Sequence, residues 1–269
     1  MPIQAKLTDD MRVMKGYKWA TAGLIVVCAV VFGLSTAGAF SINPYKVEMT
    51  LPAGESREGS FTLANPSDTT VNIKVTVEDW SSDQDDGRVI VRGEKPSLNW
   101  LKLTPQELEL GPQQSKVVNY TVRLPKGTKG ERSAMVYFGD VPDTSKGGIA
   151  IRSRIGTAVY AIAEGTEIVK GEISRITVAR QKPLRIDVAV KSLSNIHIRP
   201  KGIIRINNKE GGEPIEILFN DPGFPVLPQQ EYKFEARSKK KLGQGEYKLE
   251  FDMQFGEEEF HEEMEFTVN

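Results

Sequence analysis

Beyond Cys28 this chain of 269 residues has no cysteine, and its only histidines are His197 and His261. The first absence excludes a disulfide framework and a thiol nucleophile from everything downstream, so core packing alone must hold the folded part. The second leaves no histidine metal site or Ser-His-Asp triad without partners that the sequence does not show. Both histidines are expected at the surface: His197 faces away from Ile196 and Ile198, and His261 faces away from Phe260 among glutamates. Charge of one sign is lacking as well. Lys and Arg number 35 against 36 Asp and Glu, a net charge of -1, which excludes a nucleic-acid binder working through bulk positive charge. There is no G-x-S-x-G, no phosphate loop and no G-x-G-x-x-G after a strand. The acidic stretch "DWSSDQDDGRV" puts Ser82, Gln84, Asp86 and Gly93 at the EF-hand ligand positions before and after Gly87. That register fails, and Asp-Gly reads as a hairpin turn. No enzyme activity, metal or cofactor is expected.

What the chain does have begins with an export segment. Arg12, Lys15 and Lys18 precede the uncharged apolar run "WATAGLIVVCAVVFGL", and Ala37 and Ala39 stand at the small-residue positions of a cleavage site. Residues 1–39 read as a signal peptide cut after Ala39, with Met1 or Met11 as the start. The alternative is an uncleaved anchor, but a bilayer needs about 20 apolar residues, a length reached only by including residues 35–40. Cys28 lacks the context of a lipidated cysteine.

After residue 39 the dominant signal is period-two alternation. Val71, Ile73, Val75 and Val77 alternate with polar neighbours, as do Val118, Tyr120, Val122 and Leu124. Near the end Tyr247, Leu249, Phe251, Met253 and Phe255 form one face. "GEEE" turns the chain, and Phe260, Met264, Phe266 and Val268 return with matching parity, interrupted by Glu262. Such strands bury one face and wet the other. Short clusters rich in Gly, Pro and Asp separate them at the spacing of a β-sandwich. One sandwich takes about 100 residues, so two are expected, divided at "AIAEGTEIVKGEI" into residues 40–164 and 165–269. The expected fold is all-β: two immunoglobulin-like β-sandwich domains in tandem behind an N-terminal signal peptide. Lys239, Lys240 and Lys241 read as a solvated loop, and the glutamates around the last turn as charge protecting a terminal edge.

Three fragments occur in a recognisable order: "GSFTLANPSDTTVNIKVTVEDW", "LNWLKLTPQELELGPQQSKVVNYTVRLP", and "ERSAMVYFGDVP" followed by "IAIRSRIGTAVY". Together they resemble the N-terminal domain of periplasmic pilus-assembly chaperones, over residues 45–162. The resemblance implies a periplasmic protein that lends an edge strand, here residues 149–160, to pilin-like subunits or other envelope proteins. Main-chain hydrogen bonds would give affinity and alternate side chains would fill the partner's groove. Ile149 and Ile151 are the implied groove-fillers, followed on the same face by Ser153, Ile155, Thr157 and Val159. The family also holds its subunit's terminal carboxylate with two basic residues. Their implied positions fall at Glu48 or Met49 and at Thr157, with Lys46 and Arg154 the nearest cations. Membrane contact is expected only through an uncleaved N-terminal segment, which would anchor the chain in the inner membrane facing the periplasm. The alternative function is a structural or adhesive immunoglobulin-like envelope protein without a chaperone cycle.

Overall fold

A computed structural model describes residues 40–80, 99–141, 154–181 and 183–269. The expected signal peptide, the Asp-rich turn, and Ile149 and Ile151 lie outside these. The described residues fold entirely as strands and connecting loops. Among them no helix is long and apolar enough to cross a membrane.

The first sandwich comprises β1 (Ser41–Asn43), β2 (Lys46–Leu51), β3 (Ser56–Ala64), β4 (Val71–Asp79), β5 (Leu101–Thr104), β6 (Glu107–Leu110), β7 (Ser115–Arg123), β8 (Glu131–Asp140) and β9 (Arg154–Ala163). One sheet has the order β1-β3-β7-β5 and the other β2-β9-β8-β4-β6. All pairings are antiparallel except β2 with β9. The alternating residues meet between the sheets: Val71, Ile73 and Val75 from β4, and Val118, Tyr120 and Val122 from β7, all in one core with Phe61, Phe138 and Trp100. Phe61 packs with its ring centroid 5.0 Å from Tyr120 and 5.4 Å from Phe138.

The turn after β3 is fixed by a buried asparagine. Asn65 Nδ2 donates to the carbonyls of Thr69 (2.7 Å), Leu110 (3.0 Å) and Gly111 (3.0 Å), and its Oδ1 accepts from the Ser67 N–H (3.1 Å) and hydroxyl (2.6 Å). Full satisfaction is what allows a side-chain amide to sit beneath a loop.

The second sandwich comprises β10 (Gly171–Gln181), β11 (Leu184–Ser192), β12 (Lys201–Asn208), β13 (Ile215–Phe219), β14 (Glu231–Ser238), β15 (Gly245–Phe255) and β16 (Glu258–Val268). Its sheets run β10-β11-β14 and β13-β12-β15-β16, antiparallel throughout. Leu184, Ile186, Val188 and Val190 from one sheet meet Ile204, Ile206, Leu249 and Phe251 from the other in a separate core. The fold is therefore all-β, two immunoglobulin-like sandwiches in succession.

Candidate partner-binding edge

β9 changes neighbours half-way along. From Ala158 to Ile162 it lies between β8 and β2, with Lys46 opposite Ala158 and the β2 pairing running on to Leu51 opposite Ala163. From Arg154 to Thr157 it pairs with β8 alone, and among the described residues no strand takes its other side. An edge of this kind leaves backbone N–H and C=O groups free for a further strand. The cause lies in the connection before β2. β1 pairs with β3 in the opposite sheet, Pro44 and Tyr45 cross over, and β2 joins β9 only at Lys46. Pro44 has no N–H to donate to a ladder, and Tyr45 stands exposed at the crossing.

The side chains of β9 divide by parity. Thr157 and Val159 are fully buried in the sandwich's own core, and Ile155 is half-buried against it. Arg154 points outward, its guanidinium carbon 3.3 Å from the Tyr137 ring centroid and its head paired with Glu78. Downstream the open edge thus ends at Thr157 and not at Tyr160, because β2 covers it from Ala158 onward. Lys46 hydrogen-bonds Glu48 at 2.8 Å. Opposite Ala158, Lys46 lies four positions from Arg154, roughly 13 Å along a strand, so the structure does not bring the two cations together.

The two positions implied for basic anchors hold other chemistry. Thr157 is turned into the core, and its hydroxyl has no hydrogen-bond partner among the described residues. Met49 is buried in the core, while Glu48 lies opposite Tyr160 on the outer face of the sheet. There the second sandwich arrives. The Tyr160 ring lies 4.1 Å from His197 and 5.3 Å from Trp80, and the Arg199 guanidinium sits 5.5 Å above it. Arg199 Nη2 is 3.5 Å from Glu48, and His197 Nε2 is 3.8 Å from the same carboxylate. Burial pushes the Glu48 carboxyl up, but the Lys46 hydrogen bond and the charges of His197 and Arg199 outweigh it and hold the group below its ordinary value. Burial drives the Tyr160 phenol well above its usual range, with Arg199 partly opposing.

His197 is not at the surface. Its Nδ1 lies 2.5 Å from Glu131 Oε2, and its backbone N–H donates to the same oxygen at 3.1 Å. Ile198 is buried in the second core and His197 turns the other way, but the side it faces is covered by Glu48 of β2, Glu131 of β8 and Tyr160 of β9. Arg199 shares the face and was equally invisible as a site residue. The alternation "IHIRP" was the only available signal. His261 is exposed, with Nδ1 2.7 Å from Asp252 and Nε2 3.2 Å from Glu263. Among the described residues there is no group of three His, Cys, Asp or Glu placed to hold a metal ion.

No family model matches this chain and no curated protein matches it in sequence. It is similar to fimbrial chaperones of known structure. One is the class 5 fimbriae chaperone CfaA, at 16% identity over 84% of this chain and 98% of that one, TM-score 0.47. Another is a chaperone–tip adhesin complex of CFA/I fimbriae biogenesis, at 16% identity over 85% and 98%, TM-score 0.46. A third is the CsuC–CsuE chaperone–tip adhesion subunit complex of Acinetobacter baumannii, at 13% identity over 84% and 97%, TM-score 0.46.

Proposed function

We propose that this protein is a periplasmic chaperone-like protein that binds a partner subunit by β-strand addition during assembly of a pilus or other surface structure. The observation that carries this reading is the open half of β9, where residues 154–157 pair on one side only among the described residues. An extended partner segment laid there would continue the five-stranded sheet through main-chain hydrogen bonds. Ile149 and Ile151, just upstream, would supply apolar contacts on the face that Ile155 continues. The connection through Pro44 and Tyr45 supports the same reading, because it keeps β2 from closing the edge.

The alternative, a structural or adhesive envelope protein, draws support from the acidic Glu48 and the buried Thr157, where the resemblance implies basic anchors. One experiment separates the two. Co-expression with a pilin-like subunit from the same genome should give a stoichiometric complex on size exclusion, and Ile149→Asp with Ile151→Asp should abolish it. A complex unchanged by both substitutions overturns strand addition at β9.

A further inference from the structure

The second sandwich presents two eleven-residue edge strands, β10 and β16, which approach each other across one flank. β10 shifts register twice, between Ile173 and Arg175 and between Val178 and Arg180. Such shifts twist an edge out of line for further pairing. β16 has no such defence in its backbone. It runs against β15 without a shift from Glu258 to Val268, and from Glu258 to Phe266 it has no second partner strand among the described residues.

Its inner side chains are also incompletely covered. Phe260, Met264 and Phe266 are only half-buried against the core. Phe260 stacks on Phe255 at 5.2 Å and Phe266 on Tyr247 at 5.5 Å, which pins both at the rim. A long, regular edge with an apolar inner face is what a strand from another molecule would extend.

One inner residue breaks that face. Glu262 lies opposite Phe251, which is fully buried, so its carboxylate is on the core side of β16 between Phe260 and Met264, exposed at the rim. We propose that Glu262 keeps the β16 edge from pairing with a second copy of this chain. A strand laid along β16 would enclose the carboxylate between two apolar rows and strip its water, and an unpaired carboxylate strongly resists that transfer. The outward glutamates would stay in solvent in such a pair. Two of them are already bridged, Glu263 to Lys248 and Glu265 to Lys209, each at 2.7 Å. The block therefore comes from one inward charge, not from the acidic run as a whole. It holds whether or not a partner binds at β9.

The test is self-association of the protein purified after full-length expression, read by size exclusion with light scattering across a concentration series. The wild type and Glu263→Gln should remain monomeric. Glu262→Val, with its fold checked by circular dichroism, should dimerise at least tenfold more tightly than wild type, and Glu262→Gln should shift the same way by less. If Glu262→Val aggregates, restoring an inward charge through Met264→Glu in that background should return the monomer. A folded Glu262→Val no more associated than wild type overturns the proposal. So does a Glu263→Gln that associates equally, or an aggregate that Met264→Glu does not relieve.

Discussion

His197 and Glu131 join the two sandwiches through a 2.5 Å contact between Nδ1 and a carboxylate oxygen, with the histidine side chain 4% and the glutamate side chain 0% exposed. The Glu131 N–H also donates to the Asn195 carbonyl at 2.9 Å, beside the backbone bond from His197. The junction thus rests on fixed polar partners as well as on the Tyr160 stack. Removing one partner of such a buried pair leaves the other uncompensated. His197→Ala is expected to lower stability by about 3 kcal/mol, measured by urea denaturation, and adding Glu131→Gln should recover part of the loss.

The junction also depends on a glycine. Gly130 has a φ of +69°, and a Cβ there would fall 2.3 Å from the Asn195 carbonyl oxygen. Gly130→Ala should therefore cost about 1–3 kcal/mol through backbone strain. Hydrogen exchange should quicken at Asn195 and Glu131, while the core amides of β7 and β15 remain slow.

Two separate cores predict separable damage. Phe61 and Phe251 are each fully buried, one in each sandwich. Truncating either to alanine should remove about 3–5 kcal/mol from its own core. If residues 40–164 and 165–269 are the folding units we propose, calorimetry should show one transition lowered by Phe61→Ala and the other by Phe251→Ala.

The outer face of β15 and β16 carries a pH-dependent cluster. The Asp252 hydrogen bond, with that of Glu263, raises the His261 pKa above its ordinary value. His261 bonding lowers Asp252 first, with Arg205 adding to it, and Lys248 then His261 lower Glu263. The histidine's stabilisation is complete below about pH 6.5, its unfolded value, and is lost as pH rises through the raised folded value. The carboxylates' share is present above roughly pH 4.3 and is lost as pH falls through their lowered values. The wild-type Tm should therefore fall more steeply than that of His261→Gln as pH rises above about 6.5. Salt should shrink the difference, because the cluster is exposed.

Sequence periodicity revealed the strands where one face meets water. The alternating runs at residues 71–77 and 118–124 and the hairpin ending at Val268 became β4, β7 and β15–β16. It failed where both faces are covered. Tyr160 to Ala163 are all buried, odd positions in the core and Tyr160 against His197, so alternation carries no signal there. The partners of His197 are equally hidden in the chain, since Glu131 stands 66 residues away. Likewise the limit of the β9 edge was set by where β2 begins, a matter of topology that local pattern cannot report.

The central claim is tested most directly by hydrogen exchange on the chain alone and in complex with a pilin-like subunit. Strand addition at β9 predicts that the edge-facing amides among residues 154–157 gain strong protection on binding, while those of β16 stay unchanged. A stable complex in which residues 154–157 exchange as fast as in the free chain would contradict it.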